Sequence, residues 1–468
     1  MIMLAIYLIL LISIGINFII LLNKLSLFQI KNLLKIEVVS IVLTSGIIIF
    51  TLYMYLIGLI GIKYERYIFI PIVAGLIFNI VYGIYYFIKN KPKKQEKEKI
   101  ETSKLRKAVT AILLCANIVY IVYFIGVAVS NKLVFIDEFS VWALNAKNIF
   151  IGKKMDFFIN TGLENYPNGL PLLYSGFYVL IDGIKENFIR IFSGIFLIIN
   201  LLNIMGLCKK RKANINVALL LILIVYEYCY NFGCYASSTY GDVPFMVLYT
   251  CGILYFIEWI IYDRKIENMI ISMVNTIGAC WCKQDGTFLV AYNIFVLIII
   301  AIFYKKLNIE KLKAKSVIIY IITILIVPIS WKIYNNLAHF PTELLFGAGS
   351  KVEMHLEYFL SLMQNITIQF YKDNAVVLLM GIISGSMFIT YYKLDKKDKL
   401  YVVIALGAIL VNIAFLILCY IFVFGGEAIF AASFIRYYTR VIMIQVVTST
   451  VLLKPIFLKE KVEENKGN

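Results

Sequence analysis

The chain has 468 residues, 61% of them hydrophobic and only 16% charged, with 45 Lys and Arg against 28 Asp and Glu. Soluble domains carry about a quarter charged residues, so that class is excluded. The formal charge of +17 does not point to nucleic acid, because the excess lysine sits in short loops beside apolar runs, the distribution that sets membrane topology.

The apolar runs fall at 2–23, 37–61, 66–89, 108–130, 188–207, 213–231, 242–262, 267–282, 286–304, 315–334, 374–392, 400–422 and 438–453. Most approach the roughly 20 residues needed to cross about 30 Å of hydrocarbon. They are continuous, without the alternation of a membrane β-barrel, and lipid leaves each segment to satisfy its own backbone, so they are helices. The expected fold class is all-α, a polytopic integral membrane protein of about thirteen spans. The first run lacks a basic leader and a small-residue cleavage site and reads as a retained helix. Cys280 and Cys282 flank Trp281; without a second Cys or His pair they read as small buried residues and not as a metal site.

Three regions follow: helices and a basic loop over 1–107, a main transmembrane domain over 108–453, and a charged tail over 454–468. Basic clusters stand at Lys24 to Lys35, Lys89 to Lys107, Lys209 to Lys212, Arg264-Lys265, Lys305 to Lys315, Lys393 to Lys399, and after Lys454. Alternating the spans places them all on one face, which the positive-inside rule makes cytoplasmic. The expectation is a cell-membrane protein with its N-terminus outside and its C-terminus inside. Loops 131–187, 335–373 and 423–437 then lie outside, and the first is too long for a mere connector.

Five polar motifs fall on that outer face. Asp137-Glu138 follows the fourth span, and Phe139, Trp142, Ala143, Ala146, Ile149 and Phe150 after it form one apolar stripe at helical spacing. This predicts an amphipathic helix at the membrane surface, holding two carboxylates where a low dielectric suits a general base. The plainer alternative is a helix cap and a first-turn acid. Tyr166-Pro167-Asn168-Gly169-Leu170-Pro171 reads as a turn before a short apolar stretch, 172–181. Asp242-Val243-Pro244 reads as an ordinary helix start, Asp as N-cap with Pro in the first turn, or as a functional acid. Lys283-Gln284-Asp285-Gly286 joins two apolar runs; a hairpin needs polar residues there, yet charges at membrane depth are costly unless paired. Arg436 and Arg440 break the positive-inside pattern, either snorkelling to headgroups or offering a planar fork to phosphate.

Acids beside a basic pocket at lipid depth suit a substrate with a phosphate head and a lipid tail. The chemistry would be displacement of a phosphate leaving group, with a carboxylate deprotonating the attacking hydroxyl.

These residues resemble the C-type membrane glycosyltransferase superfamily, nearest in pattern to its protein O-mannosyltransferase and aminoarabinose transferase branches and their uncharacterised bacterial relatives. In those relatives a D-x-x-x-x-W-x-x-K-A-K stretch precedes a Y-P-x-x-x-P turn. Here the matching residues are Asp137, Trp142, Asn145-Ala146-Lys147, and Tyr166-Pro167 with Pro171. Asp242, Lys283 to Gly286, and Arg436 also look like family positions, and the likeness spans about 108–450 in order. Asn145 stands where the family has a lysine and Asp285 where glutamate is commoner.

The resemblance implies a polyprenyl-phosphate-linked sugar as donor and an inverting transfer to a lipid, glycan or protein acceptor on the outer face. Asp137 would be the base, with Glu138 orienting the acceptor or the donor sugar. Lys147, Lys283, Arg436 and Arg440 would hold the donor phosphate, with Trp142, Tyr166, Asp242 and Asp285 as further substrate contacts. Some members use a divalent metal, but the two histidines, His339 and His355, form no ligand spacing, so no cofactor is expected. Two other readings are an O-antigen-type polymerase or ligase, and a transporter or flippase of a lipid-linked or anionic solute. The latter would place charges mid-span and show paired half-repeats.

Overall fold

The computed structural model describes residues 2–89, 104–130, 141–155, 166–231, 238–307, 309–338, 359–372, 374–422 and 434–464. Among the described residues the regular structure is helical throughout. Helices α1 (Ile2–Lys24) and α2 (Lys35–Leu59) form a hairpin, and a 3-10 turn (Arg66–Phe69) opens α3 (Ile70–Lys89), followed by α4 (Lys104–Ser130). Three short helices come next, α5 (Ala143–Gly152), α6 (Gly169–Ile181) and α7 (Glu186–Ile189), then α8 (Ile191–Arg211), α9 (Ile215–Asn231) and α10 (Asp242–Ile257). A π-helical turn (Glu258–Asp263) extends α10. The chain continues through α11 (Ile266–Cys282), α12 (Gly286–Phe303), α13 (Ala314–Leu337), α14 (Phe359–Lys372), α15 (Asn374–Thr390), α16 (Lys396–Phe422) and α17 (Phe434–Glu464).

Eleven segments among the described residues are long and apolar enough to cross a membrane. The chain is therefore an all-α, multi-pass membrane protein. The other two runs of the sequence are occupied by α9 and α11, each of 17 residues. The α10 segment lies at the centre, with 94% of its span buried, whereas α3 shows 17% and α4 and α13 22%. Those outer helices turn apolar side chains such as Ile77, Ile112 and Ile322 outward, the composition a lipid-facing surface requires. The α1–α2 contact is backbone on backbone: a β-carbon at Gly46 would lie 2.1 Å from the Leu11 carbonyl oxygen. Small residues at a crossing permit this approach in lipid, where dispersion holds helices together.

The spans alternate in direction, so polar residues gather at two ends. At one end Glu37, at the start of α2, accepts from Lys210 at 2.7 Å and from the Tyr255 hydroxyl at 2.8 Å. Its other oxygen takes the Leu34 backbone N–H at 3.0 Å. Arg211 meets Glu258 at 2.7 Å, the Tyr262 hydroxyl donates to Asp398 at 2.5 Å, and Lys454 pairs with the same carboxylate. Starts of α2 and α16 thus meet ends of α8, α10 and α17.

The expected helix after Trp142 forms as α5 and buries Trp142, Ala143, Ala146 and Ile149, as its stripe requires. It does not lie open on a surface. Asn145 and Asn148 are also buried, because α6 packs along α5 and the rest of the bundle closes round the pair. α6 has 13 residues and is buried from Gly169 to Val179, too short to cross at about 1.5 Å per residue.

Candidate functional site

At the opposite end, four chain segments bring charges together. α10 starts at Asp242, α11 ends just before Lys283, Asp285 precedes α12, and α17 carries Arg436 and Arg440 in its first two turns. The α11–α12 turn is tight, closed by the Gly286 N–H on the Lys283 carbonyl at 3.0 Å. A β-carbon at Gly286 would lie 2.4 Å from the Cys280 backbone nitrogen, so only glycine lets α12 start this close to α11.

Asp242 is not the helix cap its sequence suggests. Gly241 occupies that position, which frees both carboxylate oxygens for cations. Lys283 Nζ contacts Oδ1 at 2.5 Å and Arg436 Nε contacts Oδ2 at 3.1 Å. Beside this triad Arg440 Nη2 meets Asp285 Oδ2 at 2.9 Å, and Arg440 Nε donates to the Tyr437 carbonyl at 2.9 Å. Asp242, Lys283 and Arg440 are at most 5% exposed. Removing such charges from water costs several kcal/mol each by order of magnitude, offset only by close pairing.

Aromatic rings complete the cluster. The Tyr437 ring centroid lies 6.0 Å from Lys283 Nζ, 5.6 Å from Arg436 Cζ and 5.8 Å from Arg440 Cζ. Arg436 also stands 4.6 Å from the Tyr240 ring, within the range of a cation–π contact. Among the described residues the cluster sets three cations against two carboxylates, leaving +1. Arg440 Nη1 is buried and has no hydrogen-bond partner among the described residues. A fork donor held in this way is suited to an anion.

The structure thus joins five of the expected site residues: Lys283, Arg436, Arg440, Asp242 and Asp285. Trp142 belongs to the same end, since its Cζ2 would lie 3.0 Å from a β-carbon on Gly241. Tyr166 packs edge-on against Trp142 with centroids 5.7 Å apart. Lys147 is not joined to the cluster; it is ion-paired with Glu186 at the start of α7. Asp137 and Glu138, the expected base and its partner, lie outside the described residues, as do His339 and His355. Among the described residues no group of three His, Cys, Asp or Glu side chains assembles for a metal.

Sequence reasoning left two parts unremarked. Tyr240 and Tyr437 adjoin motif residues and gave no charge signal of their own. The Glu37-end network was read only as a basic topology signal, although Glu258 inside an otherwise apolar run is the kind of intramembrane acid that calls for a partner. No family model, curated protein or solved structure matches the chain.

Proposed function

We propose that this protein is a membrane glycosyltransferase that moves a sugar from a polyprenyl-phosphate-linked donor to an acceptor, by inverting displacement at the Asp242 end. The observation that carries the reading is the cation-rich cluster of Lys283, Arg436 and Arg440 built around Asp242 and Asp285. As the glycosidic bond to phosphate breaks, negative charge grows on the leaving phosphate. Fixed cations in a poorly solvated setting stabilise that growth more than they stabilise the ground state. Asp137 takes the proton of the attacking acceptor hydroxyl, with Glu138 orienting it. The acceptor is a lipid, glycan or protein that reaches the same end.

The Glu37 end faces the cytoplasm in this reading, since the loops at Lys24 to Lys35, Lys209 to Lys212 and Lys305 to Lys315 are its basic ones, in keeping with the positive-inside rule. The Asp242 end then faces outward. The pattern is that of the C-type membrane glycosyltransferases, which the residue order at Asp137, Trp142, Tyr166, Asp242, Lys283 and Arg436 resembles.

The test is transfer of radiolabelled sugar from a panel of polyprenyl-phosphate donors in membranes holding the wild-type chain or Asp137→Asn. The expected result is label in a lipid, glycan or protein fraction, lost in the variant. No transfer from any donor would sink the activity; full transfer by the variant would remove Asp137 as base. Movement of intact labelled donor across the membrane without transfer would favour a flippase instead.

A further inference from the structure

Beside the ion pairs, the Asp242 end holds a second set of polar atoms. Both amide atoms of Asn168 and the indole Nε1 of Trp281 are buried and have no hydrogen-bond partner among the described residues. The two residues are 0% and 1% exposed. Buried polar groups are nearly always matched, so each exception needs an explanation. Asn168 is the more telling, because it sits at the N-cap of α6, where asparagine ordinarily lends its side-chain oxygen to the first turn. Its backbone carbonyl does accept from Leu172 N–H at 2.9 Å, yet its carboxamide makes no cap bond.

The two side chains come from segments in direct contact. A β-carbon on Gly169, the residue after Asn168, would lie 2.3 Å from the Trp281 carbonyl oxygen and 2.5 Å from Trp281 Cδ1, the atom bonded to Nε1. Lys283 follows Trp281 by two residues, and the same turn touches Gly241 through Leu170. The segments that carry the unmatched amide and indole therefore adjoin the one that starts at Asp242, and the two groups, unlike the cluster, are neutral.

We propose that Asn168 and Trp281 form the subsite for the transferred sugar, and that this sugar is uncharged; the inference rests on the glycosyltransferase reading above. A carboxamide both donates and accepts, and an indole N–H donates, which matches hydroxyl groups. Lys283, two residues beyond Trp281, is already committed to Asp242 at 2.5 Å. A sugar carboxylate would therefore be buried against neutral partners, which is costly. Both side chains are enclosed, so the proposal includes a separation of the Gly169 turn from the Trp281 ring when the sugar enters.

The experiment measures binding to the full chain in lipid nanodiscs. The probes are farnesyl phosphate and its glucosyl, galactosyl, mannosyl and glucuronosyl esters, with the wild type, Asn168→Ala and Trp281→Phe. At least one neutral glycosyl probe should bind roughly 10-fold more tightly than farnesyl phosphate, and the glucuronosyl probe should gain nothing. Each variant should remove roughly 3- to 10-fold of the gain, the worth of one neutral hydrogen bond, while farnesyl phosphate binds as before. A wild type that does not distinguish neutral, charged and bare probes overturns the subsite, whether or not the variants fold. Equal losses for every probe reduce the two residues to structural parts and also overturn it. Failure of the wild type to bind farnesyl phosphate at all overturns the underlying glycosyltransferase reading, and the subsite with it.

Discussion

At the Glu37 end three buried carboxylates, Glu37, Glu258 and Asp398, meet three cations, Lys210, Arg211 and Lys454. At the Asp242 end two carboxylates meet three cations among the described residues. Both sets are built from helix termini, and both are paired at hydrogen-bonding distance. The difference is one of charge: the first set is balanced, whereas the second has, among the described residues, one more cation than carboxylates. A balanced network ties α2, α8, α10, α16 and α17 together and would lose by admitting another ion. An unbalanced one gains by it. Mutations should therefore separate the two ends, stability answering at one and activity at the other.

The largest effect is expected from Arg440→Lys. Lysine keeps the charge opposite Asp285 but loses the planar fork whose Nη1 is unmatched. Transfer per folded molecule should fall on the order of 100-fold, the scale seen when one transition-state donor is removed, while the melting temperature changes little. A drop of less than about threefold would mean that the unmatched donor is not used and that the two ends do not differ in kind.

Glu37→Ala makes the converse test. Lys210, 12% exposed, keeps its hydrogen bond to Asn268 at 2.8 Å but loses its carboxylate partner, and the Tyr255 hydroxyl loses its acceptor. Breaking one side of a buried pair costs roughly 3–5 kcal/mol, which a detergent unfolding curve would register. Activity per folded molecule should stay near wild type. A selective loss of activity with stability intact would place function at the Glu37 end too.

The division between the ends was partly legible in the sequence. Continuous apolar runs located the long helices, down to the turn between 282 and 286, because lipid tolerates few alternatives. The convergence of Asp242, Lys283, Asp285 and Arg436 was foreseeable because a charge at membrane depth must find a partner. Which partner was not foreseeable. Asp242 looked like a cap, and only the packing of α10 against α11 and α17 gives both of its oxygens to cations. Glu258 carried the same warning inside an apolar run, yet Arg211 lies 47 positions away in sequence (258 − 211), and local pattern does not reach that far. Asn145 and Asn148 fall off the apolar stripe of α5, yet both are buried, because a helical wheel describes one helix alone and cannot register the cover that α6 supplies.

Lys147 sharpens the boundary of the site. The family likeness assigns it to the donor phosphate, but its ammonium is paired with Glu186, and the two side chains are 26% and 30% exposed. A partly exposed pair contributes at most about 1 kcal/mol. Lys147→Met should therefore leave transfer within about threefold of wild type and lower stability only slightly. A loss comparable to that of Arg440→Lys would show that Lys147 leaves Glu186 for the substrate during turnover.

The smallest effect separates both networks from a surface pair at the same end as Asp242. Lys153 donates to Glu65 at 2.8 Å, with both side chains largely in solvent. Its hydrogen bond, and then its charge, lower the Glu65 carboxyl below the usual range, and the same contact raises the lysine. A depressed carboxyl stabilises the fold above its unfolded value, near 4.3, and the contribution disappears as pH falls through the folded value. The raised lysine acts in the opposite limb: its contribution is present below about 10.4 and is lost as pH climbs through the folded value. Lys153→Met should thus lower the melting temperature slightly between those two limits, where both partners are charged, and leave it unchanged at the acid and alkaline extremes. Salt should erase the difference, because exposed charges are screened over about 10 Å at 0.1 M. The buried pairs at Glu37 and Asp242 should keep their effects in the same salt. A Lys153→Met difference that survives high salt would put this pair in the class of the buried ones and remove exposure as the property that sorts them.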